Sequence, residues 1–176
     1  MNKTPHKGVR FSFVALGVSV AALIVSFICV TVLGILRDRE QTPRLAMDSL
    51  VKALRTHHKQ TGRFPVDFRE LEERVWKHKQ PPDFGADGRS LSAANYLYLY
   101  YPVDTNSVTI WIIPVGPRRE QGSTHFLILG PDSLRRWKGA PLSLAEIKTI
   151  PSVPQYRQMA LLGMSEQNSI EPSGRR

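Results

Sequence analysis

The chain has 176 residues, which suits one domain of ordinary size and is too short for two full ones. Its 41% hydrophobic and 22% charged residues exclude a compositionally disordered chain. A mean hydropathy of -0.23 excludes a polytopic membrane protein. The 24 Lys and Arg against 15 Asp and Glu give a net charge of +9, but every acidic residue follows Leu36. The excess after Leu36 is modest and does not indicate a nucleic-acid partner.

The first predicted element is a membrane helix that follows a short basic tip. The tip, residues 1–10, contains Lys3, Lys7 and Arg10, and the 26 residues of 11–36 carry no charge. As a helix this apolar block is about 39 Å long, enough to cross a hydrocarbon core of about 30 Å. It is longer than the apolar part of a signal peptide and lacks a good cleavage site. We therefore expect an uncleaved, single-pass anchor.

The orientation of this anchor depends on its flanking charges. Three basic residues lie close to each end of the block. The number of flanking Lys and Arg residues, which sets the topology, is therefore equal on the two sides. The free amino terminus and the acidic residues interleaved after Leu36 favour a cytoplasmic tip and a translocated C-terminal region. The single cysteine, Cys29, lies in the apolar block, where a small apolar space-filler is expected. The soluble region is therefore predicted to have no disulfide.

The soluble region, residues 37–164, begins with an amphipathic helix. Its apolar residues recur at the spacing of one buried stripe: Met47, Leu50, Val51 and Leu54. Pro43 should interrupt a helix that continues from the membrane, and Gly62 should end the amphipathic one. The neighbouring His57 and His58 do not share a helix face and have no third ligand nearby. A solvated helix end is therefore predicted there, and not a metal site.

A short second helix is predicted next, because Asp67 and Glu70 have the spacing of a capping box. Its apolar stripe consists of Phe68, Leu71 and Val75. The following stretch, residues 83–95, is expected to be a turn-rich loop. It contains Asp83 and Asp87, but an EF-hand would need further oxygen ligands and a closing glutamate. A plain turn at Asp87 and Gly88 is predicted.

Three strands are predicted after this loop, and short polar connections suggest an antiparallel meander. They cover residues 95–103, 108–115 and 124–130. The second strand is apolar almost throughout, which favours a central position with one face on a helix. His125 lies inside the third strand and is interpreted as a sheet residue, not as a general base.

The C-terminal part is predicted to contain a basic loop, two short helices and a tail. The loop, residues 130–141, is either a recognition patch formed by Arg135, Arg136 and Lys138 or a turn that packs Trp137 on the sheet; we favour the turn. Ser143 and Glu146 have capping-box spacing and open a helix that runs to Ile150, and residues 154–164 form the second helix. Residues 165–176 are expected to be a flexible tail.

Chemistry-bearing motifs are not recognisable in this chain. It has no Gly-rich phosphate loop, paired-cysteine metal site or nucleophile elbow. We therefore predict no catalytic, cofactor-binding or metal-binding residues, no cofactor and no enzymatic activity.

One short stretch carries a family resemblance. Thr61, Gly62, Arg63, Phe64 and Pro65 follow the amphipathic helix and precede the short helix with Leu71. This arrangement is similar to that of the pseudopilins, in particular the major pseudopilin of type II secretion systems. That family has a Thr-Gly-Arg-Tyr-Pro-like stretch where its long first helix ends. The resemblance implies an α+β, pilin-like fold in which a long N-terminal transmembrane helix continues into an amphipathic helix packed on a three- or four-stranded antiparallel sheet.

The resemblance weakens at the processing signal. Lys7 and Gly8 resemble the cleavage edge of the family, but Val9 follows them and Arg10 is an unexpected charge. Phe13 occupies the place of the family's glutamate, which is thought to pair with a neighbouring subunit's amino terminus during assembly. The signal is therefore degenerate, and the family's calcium loop is not recognisable.

The resemblance implies a structural subunit or accessory of a type II secretion or type IV pilus-like assembly. It would be anchored in a bacterial inner membrane with the C-terminal domain in the periplasm. Its partners would be the lipid bilayer and other pilin-like or secretion-system subunits that pack against its apolar helix. The alternative is a single-pass envelope protein that binds or scaffolds without polymerising.

Overall fold

A computed structural model describes residues 43–78 and 82–167. The predicted tip and membrane helix, residues 1–36, lie outside the described residues. So does the predicted interruption before Pro43. Within the described residues, no helix is both long and apolar enough to cross a membrane.

Among the described residues, helix α1 covers positions 43–61 and confirms the predicted amphipathic helix. Its stripe is buried, with exposures of 0–5% for Met47, Leu50, Val51 and Leu54. The helix stops at Gly62, whose φ of 75° is a left-handed conformation that glycine adopts without a steric penalty. The predicted stop is therefore correct in both position and mechanism.

The second helix is shorter than its sequence pattern suggests. Helix α2 covers only Phe68–Leu71, and a π-helical turn, Glu72–Trp76, continues it. Asp67 caps α2 as predicted, since its side chain accepts the Glu70 N–H. Phe68 and Leu71 are fully buried, so one turn is held in place mainly by the apolar side chains that it places in the core.

The sheet has six antiparallel strands in sequential order. They are β1 Ser90–Ala93, β2 Tyr96–Pro102, β3 Val108–Pro114, β4 Thr124–Leu129, β5 Leu134–Gly139 and β6 Ser165–Gln167. Strands β2 to β4 confirm the predicted meander. The protein is therefore α+β, but its sheet is larger than the three or four strands that the resemblance implied.

Three strands were missed because their side chains do not carry a strand signal. In β1 only Leu91 is buried, and all three residues of β6 are exposed. These strands form by backbone pairing to β2 and β5, which needs no apolar side chains. The predicted tail, residues 165–176, contains β6 in its described part, residues 165–167. The predicted loops at 83–95 and 130–141 contain β1 and β5.

Two short helices follow β5, as predicted. Helix α3, Leu144–Lys148, has the expected capping box between Ser143 and Glu146, and helix α4 covers Tyr156–Leu161. A 3₁₀ turn, Gly116–Arg118, lies in the connection between β3 and β4.

The sheet is covered on both faces. Helices α1 and α2 pack on one face against residues such as Tyr100, Ile110 and Leu127. The segment with α3 and α4 packs on the other face, where Leu142, Ile147, Met159 and Met164 meet an aromatic row. That row runs across three strands as Trp111, Phe126 and Trp137, with ring centroids 4.4 and 5.5 Å apart. The expectation that β3 has one face on a helix was therefore incomplete.

Strand β3 explains why two layers are needed. Successive side chains of a strand point to opposite faces, and all seven residues of β3 are buried. Ile110 and Ile112 belong to the core under α1, whereas Trp111 and Ile113 belong to the core under α3 and α4. A strand whose side chains are apolar on both faces needs an apolar layer on each side.

Alanine at Ile110 or Ile113 should test the two layers separately. Each substitution is expected to lower the free energy of unfolding by about 2–5 kcal/mol, because each leaves a cavity in a different core. Val103→Ala, at a side chain that is 42% exposed, is the control and should change stability by less than about 0.5 kcal/mol. Urea titration of the full chain in detergent, followed by tryptophan fluorescence, measures all three. A neutral Ile113→Ala would contradict the second layer.

Candidate functional site

A densely bonded polar cluster lies at the corner between α1 and α2, in the stretch Thr61–Pro65. Gly62 N–H donates to the His58 carbonyl oxygen at 2.8 Å and closes the last turn of α1. The Thr61 hydroxyl lies 2.9 Å from the carbonyl oxygens of both His57 and Arg63, within donating distance of each. The corner therefore bonds to the helix end that it follows.

Glu70 of α2 holds this corner from the other side. Its Oε2 accepts from Arg63 Nη1 at 3.0 Å, and its Oε1 accepts from Arg63 Nη2 at 2.6 Å. Oε2 also accepts the Val66 N–H at 2.9 Å, and Arg74 Nε lies 3.4 Å from Oε1. The predicted capping box is thus only half formed, since Glu70 bonds to Val66 and Arg63 and not to the amide of Asp67. We call Glu70 and the residues around its carboxylate, His57, Arg63, Val66 and Arg74, the Glu70 clamp.

His57 belongs to the clamp, and the prediction of a solvated histidine is wrong for it. His57 has 0% exposure. Its Nδ1 lies 3.1 Å from the Arg63 carbonyl oxygen, and because a carbonyl only accepts, Nδ1 carries the hydrogen. Its Nε2 lies 3.4 Å from Glu70 Oε1, which is ion-pair distance without hydrogen-bond geometry. The chain reversal at Gly62 buries this ring by folding residues 63–65 back over it.

His58 agrees better than His57 with the predicted solvated helix end, because it remains partly exposed. Its ring lies 4.7 Å from that of Phe64, and its Nε2 is 3.2 Å from Asn106 Oδ1. The last turn of α1 therefore reaches the turn between β2 and β3.

Two further hydrogen bonds attach the corner to the sheet. The Tyr100 hydroxyl of β2 donates to the Pro65 carbonyl oxygen at 2.5 Å, and the Phe64 N–H donates to the Thr105 carbonyl oxygen at 3.0 Å. Burial, together with the nearby carboxylates of Glu70 and Asp67, raises the pKa of Tyr100. The phenol therefore stays protonated and remains a donor at neutral pH.

The clamp keeps Glu70 ionised. Burial alone would raise the pKa of Glu70, but the hydrogen bonds from Arg63 and Val66 and the positive charge of Arg63 outweigh it and hold the pKa below its usual 4.5. Both carboxylate oxygens already accept hydrogen bonds. Such a group suits the joining of two helices and is poorly suited to proton transfer, which needs a pKa near the working pH.

A second polar cluster lies between β4, β5 and α1. His125 is in cross-strand register with Lys138, and Arg136 faces the same side of the sheet, where its Nη2 lies 2.7 Å from Asp48 Oδ1 of α1. Burial, and then the charges of Lys138 and Arg136, lower the pKa of His125 to about 4. His125 is therefore a neutral residue inside a strand at pH 7, in the position that we predicted.

The strand alternation separates the basic residues around Trp137. Arg135 lies on the aromatic-row face, with its guanidinium carbon 4.7 Å from the Trp137 ring centroid and its Nε 2.8 Å from Glu166 Oε1. Arg136 and Lys138 lie on the α1 face. Trp137 is only 3% exposed, which confirms that it packs on the sheet. The alternative of a single patch is wrong, because these cations do not share a face.

Metal-binding geometry is absent from residues 43–78 and 82–167, where no group of three or more His, Cys, Asp or Glu side chains could hold an ion. Asp87 accepts the Arg89 N–H at 2.9 Å, and Gly88 N–H donates to the Gly85 carbonyl oxygen. These bonds confirm the plain turn predicted there.

Comparison with known proteins adds no identity. No protein-family model, curated protein or solved structure matches this chain.

The contribution of the Glu70 clamp can be measured by substitution. Glu70→Gln should lower the free energy of unfolding by about 1–3 kcal/mol at pH 7, because it removes the charge that Arg63 and Val66 bond to. The effect should shrink as the pH falls below 4.5, since the wild-type carboxylate also becomes protonated. Glu73→Gln, at an exposed neighbouring carboxylate, is the matched control. Equal effects of the two substitutions would contradict the clamp.

His125 should make the folded state sensitive to mild acid. Because its pKa falls from 6.5 to about 4 on folding, the unfolded chain binds a proton that the folded chain does not. Stability should therefore decline from pH 6.5 towards pH 4, by at most about 1.4 kcal/mol per pH unit. His125→Gln should remove this slope, and Lys138→Gln should reduce it by removing one repelling charge. The urea midpoint of unfolding is measured across this pH range for the wild type and for His125→Gln. The same pH dependence in both proteins would contradict a lowered pKa of His125 in the folded state.

Proposed function

We propose that this chain is a membrane-anchored, pilin-like structural subunit or accessory of a type II secretion or type IV pilus-like assembly. The observation that carries the proposal is the corner at Thr61–Pro65, where an amphipathic helix ends and the chain turns onto an antiparallel sheet. The residues resemble the Thr-Gly-Arg-Tyr-Pro-like stretch of the pseudopilins, with Phe64 in the place of its tyrosine, and a helix packed on an antiparallel sheet is what that resemblance implies. The apolar block, residues 11–36, would serve as anchor and as the surface for neighbouring subunits.

The bonding around the corner supports a mechanical role. An anchored subunit transmits force from its membrane helix to its domain, so the helix must be fixed to the sheet. The Glu70 clamp joins α1, the corner and α2, and Tyr100 and Thr105 join the corner to the sheet through hydrogen bonds of 2.5 and 3.0 Å. The Asp48–Arg136 ion pair fixes the other part of α1 to β5.

The remaining charged clusters support a structural role over a catalytic one. Glu166 pairs with Arg135 and Glu72 bonds to His78, so each of these carboxylates ties two parts of the chain together. The neutral His125 is flanked by two cations, an environment that disfavours taking up a proton. These arrangements are typical of groups that hold a fold.

Processing and assembly test this proposal together. The full chain is co-expressed with a prepilin peptidase and a type II secretion assembly, and its amino terminus is determined by mass spectrometry. We expect cleavage between Gly8 and Val9, with Gly8→Leu as the blocked control. Oxidation of the membranes should also cross-link Cys29 between neighbouring subunits, and Cys29→Ser should abolish the cross-link.

An intact Met1 terminus without a Cys29 cross-link would contradict the proposal. In that case the alternative, an anchored binding or scaffolding protein that does not polymerise, would be supported. Extraction of the protein by alkaline carbonate would contradict membrane anchoring. It would therefore contradict both the pilin-like subunit and the anchored binding or scaffolding protein.

A further inference from the structure

His57 places a fully buried imidazole ring inside the Glu70 clamp. Because the ring has no exposed surface, bulk water does not reach its two nitrogens. The protein groups that face these nitrogens therefore decide which protonation state of the ring fits the corner.

The Nδ1 side of the ring needs a hydrogen. Nδ1 lies 3.1 Å from the Arg63 carbonyl oxygen and 3.2 Å from the Thr61 hydroxyl oxygen. A carbonyl oxygen only accepts. The Thr61 hydroxyl has one hydrogen, and two carbonyl oxygens at 2.9 Å compete for it, so its oxygen presents a lone pair to the ring. Nδ1 is therefore the donor on this side.

The Nε2 side of the ring also faces an acceptor. Glu70 Oε1 lies 3.4 Å from Nε2, and this carboxylate is ionised because its pKa is held below 4.5 by the hydrogen bonds that outweigh its burial. Nε2 has no hydrogen-bond partner among the described residues. A neutral ring with its hydrogen on Nδ1 turns the Nε2 lone pair towards a carboxylate, whereas a doubly protonated ring offers a donor to each acceptor.

The other charges around the ring come from three elements. Arg63 at the corner and Arg74 after α2 bring two positive charges to the Glu70 carboxylate, and Asp67, which caps α2, adds a second negative charge. Tyr100 of β2 stays a neutral phenol, because burial and then the two carboxylates raise its pKa. Burial opposes a charge on the ring, and the carboxylate at ion-pair distance from Nε2 offsets that effect.

We propose that the contact between His57 and Glu70 is a pH-sensitive switch that tightens the corner between α1 and α2. With a neutral ring, Nδ1–H bonds to the Arg63 carbonyl and the Nε2 contact stays open at 3.4 Å. When Nε2 takes up a proton from solvent, it becomes a donor and forms a charge-assisted hydrogen bond to Glu70 Oε1. The last turn of α1 is then bonded directly to α2, and the corner is more rigid in mild acid than in mild base.

The pH range of the switch follows from this bond. An unfolded histidine takes up its proton near about pH 6.5. The added bond exists only in the protonated folded chain, so its contribution to stability is complete below that pH and is lost as the pH rises into the mildly basic range. The destabilisation that we expect from His125 lies at lower pH, between its ordinary 6.5 and about 4. The two histidines therefore act in different pH ranges.

Nuclear magnetic resonance of the histidine rings tests the charge state of His57 in the full chain in detergent. At about pH 6 the His57 ring should carry a hydrogen on both nitrogens, and at about pH 9 only on Nδ1. His58, which is partly exposed and adjacent in the chain, is the internal control. Its Nε2 faces the Asn106 side-chain oxygen and not a carboxylate.

Hydrogen exchange measures the rigidity of the corner. The Phe64 N–H, which donates to the Thr105 carbonyl oxygen, is the reporter amide. Its protection, corrected for the intrinsic exchange rate, should rise about tenfold between about pH 9 and about pH 6. The substitutions His57→Gln and Glu70→Gln should each abolish this rise, and His58→Gln should leave it unchanged.

A neutral His57 ring at about pH 6 would overturn the proposal. So would a doubly protonated ring without any change in the protection of the Phe64 amide. A His57→Gln protein that loses protection equally at both pH values, with the same rise as the wild type, would assign the ring a packing role only and also overturn the switch. The ring spectra are recorded on the wild type, so the test holds even where a substituted chain does not fold.

Discussion

The ionised carboxylate of Glu70 is the interaction on which the corner of this domain depends. It accepts hydrogen bonds from the guanidinium of Arg63 and from the N–H of Val66, and the buried ring of His57 lies beside it. Without it, a buried histidine and an arginine would face each other across the corner. Helix α2 is a single turn that could not persist alone, so its place against α1 is determined by this carboxylate and by the buried Phe68 and Leu71.

The second constraint is the doubly covered sheet. Strand β3 is buried on both faces, so the face with the aromatic row also needs a cover. The segment after β5 returns across that row and supplies it. Two fully buried threonines attach that segment: Thr109 donates to the Ser152 carbonyl oxygen, and Thr124 accepts the Leu142 N–H, both at 2.7 Å. The return also delivers residues 165–167 to the edge of β5, which is how a polar tripeptide becomes a strand.

These two constraints connect the helices to the sheet. The clamp and the turn between β2 and β3 meet at one end of the sheet, where the Tyr100 hydroxyl and the Phe64 N–H bond across the corner. Two ion pairs make further connections between elements: Asp48 of α1 pairs with Arg136 of β5, and Arg135 of β5 pairs with Glu166 of β6.

The sequence by itself determined the elements whose signal is local. The stripe of α1, the stop at Gly62, the meander of β2 to β4 and the capping box at Ser143 all follow from spacing and turn chemistry. Only the tertiary structure decided the burial of His57, the partners of Glu70, the separation of Arg135 from Arg136, and strands β1, β5 and β6. The reason is physical: these features depend on contacts between residues far apart in the chain. Burial of a histidine or pairing of a polar edge strand has no periodic signature of its own.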